Sequence, residues 1–295
     1  MKRVLVTGSE GFTGRYVVAA LIDSGYFVIP LALKSNTAIN CDLTNKDAIK
    51  DCLLENKPDY IVHLAGISFV AHYDQNELYN INVFGTLNLL EAAFEVGLEL
   101  DKLIIASSAN VYGNYKGSDP IAESTSVNPI NHYATSKLSM EFLVKQWFNV
   151  YPILITRPFN YTGVGQKDYF LIPKIVRHFK SKSKTIELGN VGISRDFSDV
   201  RDIANYYVAL LNSKVHSEIV NLCSGKVESI ADLLDSMAYI AGYEIEVVVN
   251  SDYIRKSDIL KLEGDRSKLA RLTNLSASFS MTDTLTEMYK HMDSK

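Results

Sequence analysis

A doubly wound parallel α/β sheet, with a smaller C-terminal lobe over one edge, is the fold class this sequence predicts. Short, near-continuous apolar runs alternate with longer periodic segments through the first half, as in a sheet covered by helices on both faces. A glycine-spaced turn follows the first apolar run directly, and the alternation changes after Pro158.

Val4-Leu5-Val6 reads as a buried strand, followed by a helix from Gly14 to Ser24 that ends near Gly25. Phe27-Val28-Ile29 is the next strand and Asp47 to Glu55 the next helix. Tyr60 to Leu64 is a strand entered through Pro58-Asp59, and Asn76 to Val96 is one long amphipathic helix closed by Gly97. Leu103 to Ala106 forms a strand, Tyr133 to Trp147 a second long helix, and Tyr151 to Thr156 a strand stopped by Arg157-Pro158. Right-handed crossovers between these strands make the sheet doubly wound. Beyond Pro158 the expected elements are a helix from Phe170 to Phe179, a strand from Thr185 to Leu188 and a helix from Ile203 to Leu211. Strands from Glu218 to Leu222 and from Ile245 to Val249 complete the set. Residues 1–158 and 196–224 are expected to form the main domain, and 159–195 with 225–295 the smaller lobe.

The 295 residues, 47% hydrophobic and 22% charged, suit an ordinary globular protein of one large domain or two modest ones. A net charge of −4 with scattered Lys and Arg argues against nucleic acid as a partner. The first apolar run is too short for a signal sequence, and no segment approaches the roughly 20 apolar residues that span a bilayer. Cys41, Cys52 and Cys223 are widely spaced and form no CxxC pair, which points to free thiols in a cytoplasmic chain. The six histidines are isolated, so no metal site is expected.

Thr7-Gly8-Ser9-Glu10-Gly11-Phe12-Thr13-Gly14 joins the first strand to the first helix. Gly8, Gly11 and Gly14 permit a sharp turn, close approach of a pyrophosphate, and tight packing of helix on strand. The helix N-terminus adds free N–H groups and a positive dipole end, so the turn predicts dinucleotide binding. Tyr133 and Lys137 stand four apart, on one face of their helix. A tyrosine titrates near ~10, and a neighbouring cation draws it towards the neutral range where it serves as a proton donor. Ser107-Ser108 follows the fourth of the main strands, at the sheet end where such folds bind ligands, and a hydroxyl there can hold a carbonyl oxygen.

The GxxGxxG spacing resembles the short-chain dehydrogenase/reductase superfamily, and the length resembles its extended branch, the NAD-dependent epimerases and dehydratases with a Rossmann fold. Ser108, Tyr133 and Lys137 match that family's Ser-Tyr-Lys set. The resemblance implies cofactor contacts from Gly8, Gly11, Phe12, Thr13, Gly14, Tyr133 and Lys137. It adds the adenine-contacting pair Asp42-Leu43, the strand-end segment Leu64-Ala65-Gly66, and Asn82 on the helix that braces it. The family reads the adenosine ribose at the end of the second strand, where an acid favours NAD and a base NADP. Leu31 to Ser35 holds no carboxylate, so Lys34 or Ser35 beside a 2′-phosphate favours NADPH, with NAD the alternative.

The family's sugar-nucleotide 4,6-dehydratases carry a carboxylate just after the Ser/Thr, whereas this chain has Ala109 and Asn110. That leaves a reductase or a 4-epimerase. Arg157 to Gln166 resembles the turn into the family's sugar pocket, and Arg195 to Asp202 its diphosphate-binding hairpin. Ile254 to Asp258 and Gly264 to Leu269 resemble the C-terminal pattern of GDP-4-keto-6-deoxy-D-mannose reductases. Asn160 and Ser108 are then candidate sugar contacts, and Arg195 and Arg255 candidate diphosphate clamps, since guanidinium forks suit phosphate oxygens. Arg201 is expected to pair with Asp199 or Asp202. The expected function is reduction at C4 of a nucleotide-diphosphate 4-keto-6-deoxy sugar, GDP-linked by preference. The alternatives are an NDP-sugar 4-epimerase holding NAD and, behind it, a 4,6-dehydratase or a non-catalytic NADP-binding protein. The two long helices resemble the pair through which this family forms homodimers.

Overall fold

In the computed structural model, residues 1–70, 72–250 and 261–293 are described. Seven parallel strands form the larger sheet: β1 (Arg3–Thr7), β2 (Phe27–Ala32), β3 (Ile39–Asn40), β4 (Tyr60–His63), β5 (Lys102–Ala106), β6 (Ile153–Pro158) and β10 (Glu218–Leu222). Their spatial order is β3-β2-β1-β4-β5-β6-β10. The chain therefore winds outward in one direction from β1 and returns to the other side at β4, which leaves a crevice at the C-terminal ends of these two strands.

The near-continuous apolar runs have a direct packing reason. Successive side chains point to opposite faces, and both faces are covered. Leu5, Ile61, Leu103, Ile105, Ile153 and Ile155 pack with α2 (Lys46–Asn56), α4 (Gly85–Glu95) and α5 (His132–Lys145). Val4, Val6, Val62, Ile104 and Leu154 pack on the other side, with α1 (Phe12–Asp23), α7 (Val200–Asn212) and α9 (Ser267–Thr273).

The smaller lobe uses β9 (Ser194–Asp199), which pairs with β7 (Asn160–Thr162), β11 (Val227–Ser229) and β13 (Lys261–Leu262). A separate parallel pair joins β8 (Thr185–Leu188) to β12 (Glu246–Val249). Around them α6 (Leu171–Lys180), α8 (Ile230–Ala241) and α10 (Met281–His291) enclose a third apolar cluster that includes Ile175, Phe179, Leu233 and Leu285. Ser229 and Ser280 each begin their helix with a reciprocal capping box, closed by Asp232 and Asp283.

The structure departs from the sequence expectation in several places, one being β6, which begins at Ile153 and includes Arg157 and Pro158 instead of stopping before them. The first helix begins at Phe12, because Gly11 in an extended conformation caps it. The short strands β3, β7, β11 and β13 carry too little pattern to be read from sequence. The segment expected as one helix from Asn76 to Val96 is divided into α3 (Gln75–Tyr79), a π-helical turn (Asn80–Phe84) and α4. Such turns accommodate an inserted side-chain demand within a helix and recur at functional sites.

Candidate active site

Gly8 adopts a φ of +67°, and a Cβ there would lie 2.9 Å from the backbone N and Cα of Ala65. The turn after β1 and the segment after β4 thus meet at backbone distance. A Cβ on Gly14 would overlap the Gly8 carbonyl oxygen. With no side chain capping α1, the N–H groups of its first turn keep their capacity for an anion. This glycine cradle at an uncapped helix N-terminus fits the diphosphate of a dinucleotide. Phe12 and Thr13 lie on that first turn. Thr13 Oγ1 is 2.7 Å from the Tyr161 hydroxyl, and Phe12 stacks on the Tyr161 ring at 6.1 Å. The glycine turn and the turn that follows β6 are therefore in contact.

Asn82 holds Ile67, the residue that follows the segment Leu64-Ala65-Gly66. Its Oδ1 accepts the Ile67 N–H at 2.8 Å, and its Nδ2 donates to the Ile67 carbonyl and to Ser136 Oγ, both at 3.1 Å. Asn82 belongs to the π-helical turn, which delivers this buried amide between loop and α5.

Ser108, Tyr133 and Lys137 are all buried at the C-terminal end of β5 and the start of α5. Asn131 caps α5 by accepting the Ala134 N–H at 2.8 Å, which fixes where Tyr133 enters the helix. Lys137 Nζ donates to the Ala106 carbonyl at 2.9 Å, joining helix to strand end. Ser108 Oγ accepts from the backbone N and the Nδ2 of Asn110, at 3.2 and 3.1 Å, so its own hydrogen remains to be donated. Asn110 is thereby committed to orienting Ser108.

The electrostatics correct one expectation. Burial pushes the Tyr133 phenol up to about 12, and the Ser108 hydroxyl offsets only part of this. The same enclosure lowers Lys137 to about 8, opposed by the Glu141 carboxylate. Desolvation dominates, the Lys137 cation does not draw the phenol down as the i,i+4 spacing suggested, and Tyr133 is a protonated donor at neutral pH.

Beneath this group lies a charge pair that sequence reading missed. Glu141 accepts from Arg157 Nε at 2.9 Å and Nη2 at 2.6 Å, and from Ser107 Oγ at 2.6 Å. The Arg157 guanidinium covers the Tyr112 ring at 4.8 Å. Arg157, the first residue of the turn from 157 to 166, is therefore held inside the fold by Glu141 and Tyr112. Glu141 stands four residues beyond Lys137, and that spacing was the available signal.

Just beyond β2, Lys34 is exposed. Ser35 donates its hydroxyl to Glu10, a residue of the glycine turn. Asp42 is exposed and accepts from the Thr44 N–H and hydroxyl, each at 2.8 Å, while Leu43 is buried beside Gly85. Asn160 pairs in register with Phe197 on the strand that carries Arg195. The Asn160 Nδ2 is buried without a hydrogen-bond partner among the described residues. Arg195 Nη1 donates to the Ser194 carbonyl at 2.9 Å. Arg201 pairs with Asp199, at 2.9 and 2.7 Å, and with Glu287. Asp202 instead accepts backbone N–H groups from Ser278 and Phe279. Arg255 and the segment Ile254 to Asp258 lie outside the described residues. Among the described residues no acidic, His or Cys group is arranged to hold a metal, and no helix is long and apolar enough to cross a membrane.

Comparison with known proteins bears on the family and the fold. The profile of the NAD dependent epimerase/dehydratase family matches residues 4–223. The chain is 34% identical over 290 residues to GDP-6-deoxy-D-talose 4-dehydrogenase of Aggregatibacter actinomycetemcomitans, covering 98% of this chain and 97% of that one. It is 32% identical over 306 residues to GDP-6-deoxy-D-mannose reductase of Pseudomonas aeruginosa, covering 100% and 98%. The structure of RMD from Pseudomonas aeruginosa complexed with NADPH superposes with a TM-score of 0.90 at 31% identity, over 99% of this chain and 98% of that one.

Proposed function

The chain belongs to the NAD dependent epimerase/dehydratase family, and on that footing we propose that it reduces C4 of a nucleotide-diphosphate 4-keto-6-deoxy sugar, GDP-linked. One observation carries this reading. Ser108, Tyr133 and Lys137 are enclosed together, while the positions after Ser108 hold a buried alanine and an asparagine already bonded to Ser108. Carbonyl reduction needs only a hydride and a proton, and the site has no carboxylate there to move protons at C5 and C6.

Bound NAD(P)H supplies the hydride. Ser108, whose oxygen already accepts two donors, turns its hydrogen to the C4 carbonyl and polarises it. Tyr133, kept protonated by burial, gives its proton to the developing alkoxide. Lys137 holds the first half of α5 against β5 through Ala106, orients Tyr133 and replenishes its proton.

Two relatives named for GDP-linked 6-deoxyhexoses support the base assignment. Mannose and talose differ only at C4, so the product is decided by which face of the ketone meets the hydride. The unpartnered Asn160 amide supports a sugar contact. Arg195 and Arg255 are assigned to the diphosphate, residues 159–195 and 225–295 to the sugar-binding lobe, and 1–158 with 196–224 to the cofactor domain. Exposed Phe84, Phe94 and Phe142 on the two long helical segments support a homodimer through that face. The three buried free thiols fit a cytoplasmic setting.

The test is NADPH or NADH oxidation with GDP-, dTDP- and CDP-linked 4-keto sugars, followed by NMR of the product. Net oxidation with the GDP sugar and a reduced C4 is expected. Interconversion of a 4-hydroxyl nucleotide sugar with its C4 epimer, with no net cofactor oxidation and no turnover of the 4-keto sugars, would make the chain a 4-epimerase instead. Tyr133→Phe is expected to cost about 10²–10⁴ in turnover with cofactor binding retained.

A further inference from the structure

The second position between Gly8 and Gly11 is a glutamate, whose side chain leaves the turn and reaches the loop after β2. Glu10 Oε1 accepts from the hydroxyls of Ser35 and Thr37, the latter at 2.8 Å. Ser35 Oγ in turn accepts the N–H groups of Thr37 and Ala38 at 2.9 and 2.8 Å, and Asn40 Oδ1 takes the Ser35 N–H at 2.6 Å. Ser9 secures the turn itself, since its N–H and hydroxyl both donate to the Leu31 carbonyl at the end of β2, at 3.1 and 3.0 Å. The loop after β2 is therefore closed around a carboxylate that comes from a different element.

This is the end of the sheet where a doubly wound fold reads the ribose 2′ position, ordinarily through an acid on the second strand. That strand has none here. We propose that Glu10 takes over the role: it reads the 2′ position of the cofactor's adenosine ribose, accepting the 2′-hydroxyl of NADH and disfavouring the 2′-phosphate of NADPH. Its Oε2 makes no hydrogen bond among the described residues and remains for the ribose. The two hydroxyls on Oε1 hold the carboxyl below its usual range, so it is an anion at neutral pH. A phosphate monoester carries about −1.5 to −2 charge and meets like charge there. Lys34, exposed one residue before Ser35, pulls the opposite way, so the balance between the cofactors is set by two opposed side chains.

The experiment measures dissociation constants of NADH and NADPH, from nicotinamide fluorescence, for the full-length protein and for Glu10→Gln, Glu10→Ser and Lys34→Ala. No sugar substrate is required, so the outcome is separate from whether the chain is a reductase. Both Glu10 variants are expected to lower the ratio Kd(NADPH)/Kd(NADH) by about tenfold, roughly 1.4 kcal/mol. Lys34→Ala is expected to raise it. A ratio unchanged in both Glu10 variants, including a parallel loss of both cofactors, would overturn the proposal and leave Glu10 as a loop anchor only.

Discussion

The Thr7 hydroxyl and His63 Nδ1, at the ends of the paired strands β1 and β4, lie 2.8 Å apart. Counting hydrogens determines the form of the imidazole. The Thr86 hydroxyl donates to the Asn82 carbonyl at 2.9 Å, so at its 2.9 Å contact with His63 it must accept from Nε2. Nδ1 then accepts from Thr7, whose oxygen takes the Ala65 N–H at 3.1 Å. A neutral imidazole thus links the glycine turn, the segment after β4 and the π-helical turn that carries Asn82. Burial, with a smaller contribution from the Lys137 charge, lowers His63 to about 3.

That depression predicts acid sensitivity. An unfolded histidine takes a proton near pH ~6.5, while the folded one resists until about pH 3. The unfolded state therefore binds more protons between these values, and stability falls as pH falls through that window. At pH 5 the loss from this residue is about 2 kcal/mol. Urea unfolding at pH 7 and pH 5 measures it, and His63→Gln is expected to flatten the dependence.

Gly14→Ala is expected to weaken NADH and NADPH binding by more than about tenfold, because its Cβ would overlap the Gly8 carbonyl oxygen and force the phosphate turn open. Gly25→Ala is the comparison. Gly25 has a φ of +82° but no neighbour within 4 Å of its Cβ site, so it is expected to lose stability without losing cofactor selectively. Cofactor titration beside thermal melting separates the two effects.

Glu141→Gln leaves the Arg157 guanidinium buried without its countercharge, and a loss of about 3–5 kcal/mol is expected. Glu141→Asp retains the charge for kinetic work. A greater separation of the carboxylate from Lys137 weakens the field that opposes its desolvation, so the lysine is lowered further. The alkaline limb of the kcat–pH profile is expected to move to lower pH, a displacement that a packing defect alone does not produce.

Phe94 meets Trp147 edge-on at 5.9 Å, and both Phe94 and Phe142 are exposed. Light scattering of the wild type is expected to give a dimer mass, and Phe94→Asp with Phe142→Asp a monomer. A wild-type monomer would remove this face as a self-association surface.

The sequence by itself determined the doubly wound sheet, the phosphate turn and the Ser108-Tyr133-Lys137 group. These depend on local physics: two-sided burial writes continuous apolar strands, tight turns demand glycine, and helical spacing aligns Tyr133 with Lys137. What only the tertiary structure decided involves partners far apart in the chain. Glu10 reaches Ser35 and Thr37, Thr7 and Thr86 choose the tautomer of His63, and Arg157 turns inward to Glu141. The tyrosine's acidity also belongs to this second class. Spacing alone suggested a phenol drawn down by its lysine, but burial in the assembled fold lowers the lysine and raises the tyrosine. Desolvation depends on every element packed around a group, and no stretch of sequence contains that information.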